Sequence, residues 1–159
     1  MKIRIAGFET ESIVDGEGIR FVVFTQGCPH HCPECHNPES HDFNGGTEYD
    51  TTDIIKMIAN NPLITGVTLS GGEPFCQSEA CITIAREAHR MGLNVWCYSG
   101  FTFSELIGEP LLKEIDVLVD GEFIESQKSL LLRFRGSANQ RVIDVPRSLK
   151  ERNIVLYCE

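Results

Sequence analysis

Positive charge is scarce in this chain: 14 Lys and Arg stand against 23 Asp and Glu, for a formal net charge of -9. No Lys/Arg cluster interrupts that balance. This argues against a nucleic-acid surface, because phosphate binding needs concentrated positive charge. Long apolar runs are missing too. No stretch approaches the ~20 residues that span a bilayer, and the opening residues lack the apolar region of a secretory signal. These absences predict a cytoplasmic protein with no membrane partner. Repeats, low-complexity tracts and linkers are also lacking, so one domain over residues 1–159 is expected.

Cysteine, by contrast, is plentiful for such a protein. Seven are present, an odd number, and Cys28, Cys32 and Cys35 crowd into eight residues. A reducing compartment disfavours a disulfide framework, so clustered thiols point to metal or redox chemistry. The scattered Cys81, Cys97 and Cys158 read as small buried hydrophobes.

Periodicity alternates between strand and helix. Met1–Phe8 reads as an edge strand, and Arg20–Gln26 as a strand buried on both faces. A loop rich in Cys, His and Pro follows to about Gly46. Thr51–Asn60 predicts a helix with Ile54, Ile55 and Ile58 inward and Thr51 or Thr52 as N-cap. Gly66–Ser70 is a second buried strand. A helix capped by Ser78 then runs to Met91, with Gly92 as its stop. Leu93–Tyr98 is the third strand, Phe103–Glu114 a broken helical stretch, and Val117–Val119 the fourth strand. Beyond Gly121, three short strands are expected: Leu130–Phe134, Arg141–Val145 and Ile154–Tyr157. The alternation predicts an α/β fold with a mostly parallel sheet. A complete eightfold barrel takes ~250 residues, so this chain is expected to form a shortened, open partial (β/α) barrel. Catalytic residues belong at the C-terminal ends of its strands.

The cysteine loop follows the first buried strand directly, which puts it at that end. Its spacing is C-x3-C-x2-C, close enough for three thiolates to face one centre. Four-iron clusters normally take four thiolates. Three would leave one iron open, as in a catalytic metal site. Spacing alone leaves other readings standing. Zinc accepts Cys3His sets, and His30, His31, His36 and His41 lie nearby. A fully ligated, ferredoxin-like cluster with Cys76 as fourth ligand also fits. Either would be a module without enzyme activity.

The loop has company. Cys28, Cys32 and Cys35 after one strand, then Gly71-Gly72-Glu73-Pro74 after the next, resemble the signature of radical S-adenosylmethionine enzymes. The chain is more narrowly similar to the glycyl-radical activases of anaerobic ribonucleoside-triphosphate reductase. That likeness rests on Asp15–Arg20, Trp96–Gly100, Asp116–Gly121 and Phe134–Arg141, and on the short length. Where the family usually reads D-G-P-G, Glu17 replaces proline.

This resemblance implies an oxidoreductase in which Cys28, Cys32 and Cys35 hold a 4Fe-4S cluster with one open iron. S-adenosylmethionine would be cleaved there to a 5′-deoxyadenosyl radical that takes a hydrogen from a glycine of the reductase. A flavodoxin-like protein would donate the electron. Gly71, Gly72 and Glu73 are expected around the methionyl amino group, Ser99 at the ribose or carboxylate, and His36-Asn37 at the adenine. Asp120 would position substrate or S-adenosylmethionine, and Arg135–Arg141 would contact the reductase or the rim of the site. A tight GGEP turn, a Ser-Gly turn and an Asp-Gly turn are the plain alternatives for those residues. Arg20 would pair with an acidic neighbour. Within the superfamily, activation of another glycyl-radical enzyme, or a small-molecule reaction such as deazapurine synthesis, also stays open.

Overall fold

A computed structural model describes residues 1–30, 32 and 38–158. Eight strands form one sheet in the order β3-β1-β2-β4-β5-β6-β7-β8, with β3 and β8 as its edges, so the barrel does not close. The strands are β1 (Lys2–Ser12), β2 (Arg20–Thr25), β3 (Thr47–Asp50), β4 (Gly66–Gly71), β5 (Asn94–Tyr98), β6 (Val117–Asp120), β7 (Arg141–Asp144) and β8 (Leu156–Cys158). β2, β4, β5 and β6 pair in parallel, and the outer strands on both sides pair antiparallel. The parallel character expected from sequence thus belongs to the centre, where α1 (Thr51–Ala59) and α2 (Ser78–Arg90) provide two of the crossovers. A short α3 (Phe103–Leu106) follows β5, and α4 (Val145–Glu151) follows β7.

Strand alternation divides the sheet into two different faces. Val95 and Cys97 point into the main core with Phe21, Val23, Leu69, Ile54, Ile58 and Ile84. Full burial of an Ile or Phe is worth about 1.5–3 kcal/mol each, so this layer carries much of the stability. The opposite face carries Trp96, Val117, Val119 and Val142, with Tyr98 and Phe134 against them.

Arg20 lies on that second face, wholly buried. Its partners are not acids. Its Nε donates to Thr68 Oγ1 at 2.7 Å, and its Nη atoms donate to the carbonyls of Glu17, Val67 and Asn94. The Trp96 ring lies 5.4 Å from the guanidinium. Burial pulls the Arg20 pKa down to about 10, which leaves it charged at neutral pH. The expected ion pair is replaced by a backbone-lined cradle because the strand starts Gly66 and Asn94 converge there. A Cβ at Gly66 would occupy the guanidinium position.

Local departures from the sequence reading have local causes. Asp50, not Thr51 or Thr52, caps α1, its carboxylate accepting from Thr52 N. Ser78 is inside α2, where its hydroxyl donates to Phe75 O and not to its own helix start. Leu130–Phe134 forms no strand; turns and bends occupy it. β3 and α4 carry no clear pattern in sequence. β3 is polar (TEYD) and pairs only at the edge. α4 begins at Val145-Pro146 under the Asp144 cap, where β7 was expected to run on through Val145. No helix among the described residues is long and apolar enough to cross a membrane.

Candidate active site

β2, β4, β5 and β6 end side by side, and each hands over to a loop at the same edge of the sheet. Cys28, Gly72, Ser99 and Gly121 are therefore neighbours although they span most of the chain. A cavity of about 110 Å³ opens there, lined by Cys28, Cys32, Gly71, Gly72, Ser99 and Gln140 among others. It continues through Ser70, Tyr98 and Gln140 into a cavity of about 350 Å³ under Phe134 and Arg135. Two of the three cysteines share this cavity, Cys28 buried and Cys32 partly so. Cys35, His36 and Asn37 lie outside the described residues. Cys76 is exposed and is not among the described residues that line this cavity.

The Gly71-Gly72 turn is fixed by packing against backbone. Gly72 N donates to Thr25 O at 2.7 Å and Glu73 N to Gly27 O at 2.8 Å, extending the β2–β4 ladder onto the start of the cysteine loop. Gly71 has φ +95, and a Cβ on it would strike the backbone of Thr25; one on Gly72 would strike Gly27. Only glycine lets the two loops lie this close. The pair thus shapes the cradle from behind while Gly71 and Gly72 also face the cavity.

Glu73 is completely buried and its carboxylate is the hub of the site. Oε1 accepts from His30 Nε2 at 2.7 Å, Gly100 N at 2.8 Å and Ser99 Oγ at 2.9 Å. Oε2 accepts from Ser99 Oγ and, at 3.2 Å, from Phe75 N. A buried carboxylate survives only when so paired. Ser99 accepts in turn from Phe101 N at 3.0 Å. Its hydroxyl therefore serves the hub, while the residue also lines the cavity.

His30 was visible in the sequence only as one of several histidines near the cysteines. In the fold its two ring nitrogens face Glu73 and Glu122, and its ring meets Phe101 edge-on at 4.5 Å. The hydrogen bond to Glu73 raises its pKa, against an opposing effect of burial. Gly100 must be glycine because a Cβ would enter the His30 ring. No sequence signal pairs residues this far apart.

Asp120 is placed differently from the others. Its buried carboxylate accepts from Arg141 Nε and Nη2, at 3.1 and 2.6 Å, and from Phe103 N at 2.8 Å. It ties β6 to β7 and to the start of α3, while its neighbours Val119 and Gly121 line the cavity. The segment expected to contact a partner is likewise knitted to the β6 end. Gln140 Nε2 donates to Gly121 O, and its Oε1 accepts from Gly136 N and Ser137 N. Asn139 Nδ2 donates to Glu122 O.

Comparison with known proteins gives the family and the fold. Residues 14–143 match the family described as "4Fe-4S single cluster domain". The chain belongs to that family, within the radical S-adenosylmethionine superfamily, and the zinc reading of the cysteine loop falls away. Among its relatives are anaerobic ribonucleoside-triphosphate reductase-activating proteins. That of Haemophilus influenzae is 34% identical over 140 residues, covering 80% of this chain and 89% of the relative. That of Salmonella typhi is 34% identical, covering 82% and 91%. The pyruvate formate-lyase 1-activating enzyme of Escherichia coli is 31% identical over 97% of this chain but 65% of its own length. In fold, the chain is similar to the crystal structure of QueE from Escherichia coli. The TM-score is 0.51 at 15% identity, over 64% of this chain and 54% of that one.

Proposed function

We propose that this chain is the radical-generating activase of an anaerobic ribonucleoside-triphosphate reductase, installing a glycyl radical on that partner. The observation that carries the reading is the shared cavity of Cys28, Cys32 and the Gly71-Gly72 turn at the ends of the parallel strands. The match to nearly the full length of the reductase-activating relatives favours this partner over pyruvate formate-lyase, whose activating enzyme is matched over 65% of its length.

The donor set fits a cluster and its ligand. The sulfur-bearing side chains of Cys28 and Cys32 line a cavity that Gly71 and Gly72 also border. Cys28, Cys32 and Cys35 are the proposed cluster ligands. Gly71, Gly72 and Gln140 border the space for S-adenosylmethionine, with His36 and Asn37 proposed on its adenine side. When bound, this pair supplies one-electron cleavage of the sulfonium and hydrogen abstraction from carbon. The protein's own work is to hold and enclose. Glu73 fixes the cysteine loop through His30 and the β5 loop through Ser99 and Gly100. Asp120 and Arg141 hold the β6 end in register. Tyr98 and Phe123 line the cavity with aromatic surface. No general base is needed in this scheme.

The free thiols of Cys76, Cys81, Cys97 and Cys158 fit the reducing cytoplasm in which we place the protein. A flavodoxin-like electron donor belongs to the same reading.

Anaerobic reconstitution with iron and sulfide, reduction by dithionite and addition of S-adenosylmethionine test it. The expected result is 5′-deoxyadenosine, lost in Cys28→Ala, Cys32→Ala and Cys35→Ala. Undiminished product in any of those variants would remove that residue from the ligand set.

A further inference from the structure

The cysteine cavity does not account for the outer wall of the cleft. Among described large hydrophobic side chains, the four most exposed are Leu131 at 96%, Leu130 at 92%, Ile13 at 72% and Val14 at 71%. They come from two segments far apart in sequence. Ile13, Val14 and Leu130 line one cavity of about 540 Å³, and Leu131 is the next residue in the chain after Leu130. Scattered exposed aliphatics need no explanation, but a cluster of the most exposed ones does.

This surface is continuous with the site. Its cavity shares Val14, Leu132, Phe134 and Arg135 with the 350 Å³ cavity, which in turn shares Tyr98 and Gln140 with the cysteine cavity. The loop that carries the leucines is also firmly built. Lys128 and Ser137 form an antiparallel bridge, and Ala138 N donates to Gln127 O at 2.9 Å. Phe134 adopts the left-handed region at φ 64, unusual for an aromatic residue, and is held there. Tyr98 OH donates to its carbonyl at 2.6 Å, and Trp96 meets its ring edge-on at 5.1 Å. The strained turn fixes Arg135 on the wall of both cavities.

Charge on this rim opposes that of the chain. Lys128, Arg133 and Arg135 gather here in a protein of net charge -9. Arg133 pairs with Glu17, the residue standing where the family's proline would be. Among the described residues neither Lys128 nor Arg135 pairs with a carboxylate. Arg135 spends one Nη on Gln140 O, and its Nε is buried with no acceptor.

We propose that the 128–136 loop, together with Ile13 and Val14, is the docking rim for the reductase. It takes an apolar, acid-flanked polypeptide segment next to the target glycine. Aliphatic side chains of the partner fill the gap between Val14 and Leu130, and partner oxygens meet Lys128 and Arg135. This rests on the activase reading. It adds which surface receives the substrate protein and what chemistry that segment presents.

The test compares wild type with Leu130→Asp/Leu131→Asp, whose side chains are too exposed for the fold to depend on them. Affinity for the reductase is measured anaerobically, alongside glycyl radical formed with dithionite and 5′-deoxyadenosine formed without the partner. The rim predicts affinity weakened by at least about tenfold, the usual scale for loss of a central apolar contact. Radical yield should recover at high reductase concentration, and partner-free 5′-deoxyadenosine should stay within about twofold of wild type. Unchanged affinity would overturn the rim. So would a loss seen only when a protein electron donor replaces dithionite, or only as dissociation of a dimer of this chain. If wild type itself forms no glycyl radical on the reductase, the activase reading fails and the rim with it.

Discussion

His30 Nε2 lies 2.7 Å from the buried carboxylate of Glu73, joining the cysteine loop to the residue after the double-glycine turn. Both ring nitrogens of His30 face carboxylate oxygens, and the hydrogen bond to Glu73 raises the pKa of the ring against the opposing effect of burial. That hydrogen bond ties the cysteine loop to the double-glycine loop at the C-terminal edge of the parallel strands.

Glu73→Gln keeps the shape but turns one acceptor oxygen into a donor facing other donors. The expected cost is about 2–3 kcal/mol of folding stability, since a buried polar group is left mispaired. Ser99→Ala should cost about 1 kcal/mol, because Gly100 N and His30 still satisfy the carboxylate. Anaerobic denaturant titration checks both values. Equal, negligible losses would mean that Glu73 is not the hub.

Gly72→Ala and Gly71→Ala push a methyl group into the backbone of Gly27 and Thr25. Neither neighbour can swing aside as a side chain could. Both variants should bind well under the wild-type iron after reconstitution, with Gly71→Ala further burdened by its φ of +95. Iron and sulfide per chain are the readout. Full cluster loading in both variants would show that the turn tolerates side chains.

The Asp120–Arg141 pair calls for a double-mutant cycle. Arg141 is partly solvent-exposed, so its coupling to Asp120 should be modest, about 1 kcal/mol. Asp120→Asn should cost more than Arg141→Ala, because Asp120 also receives Phe103 N at the start of α3. Affinity for S-adenosylmethionine, measured in the same variants, separates holding the fold from holding the ligand. An affinity loss in Asp120→Asn without a stability loss would assign Asp120 to the ligand.

Thiol chemistry offers a pH test away from the cluster. Burial pushes the Cys81 thiol up to about 12 and Cys97 well above its usual value. Cys76 is raised as well, first by partial desolvation, although its surface is exposed, and then by the charge of Glu73. A thiol reacts as thiolate, so a raised pKa slows alkylation at neutral pH and lets it accelerate as pH climbs. Labelling the native protein should modify Cys76 slowly at pH 7 and faster above pH 9, and leave Cys81 and Cys97 untouched until unfolding. Mapping labelled peptides by mass spectrometry checks this. Rapid labelling of Cys97 in the native state would contradict its place in the core.

The central strands were legible because β2, β5 and β6 each hold a short β-branched or aromatic run and β4 (GVTLSG) is a short segment rich in β-branched residues between glycines. The site's position followed, since the cysteine loop and the GG turn come directly after two of those runs. What stayed hidden was long-range and polar. Nothing local in His30 signals Glu73, and nothing in Asp120 signals Arg141, because each pairing is set by the order of strands in the sheet. Leu130–Phe134 misled for the same reason. Its leucines resemble a strand, yet the hydrogen bonds around Ser129, Gly136 and Gln140 close the segment on itself as a loop. Arg20 misled through chemistry. Charge suggests a carboxylate partner, but a cation can also be satisfied by carbonyls and an indole where strand starts converge.

The most direct test of the account is an electron paramagnetic resonance measurement on the purified, anaerobically reconstituted protein. It is mixed with S-adenosylmethionine, reductant and either anaerobic ribonucleoside-triphosphate reductase or pyruvate formate-lyase. The account predicts a glycyl radical doublet on the reductase, absent when Cys32 is replaced by Ala and absent with pyruvate formate-lyase. A chain that carries its full cluster yet leaves the reductase without a radical, or activates pyruvate formate-lyase instead, would contradict it.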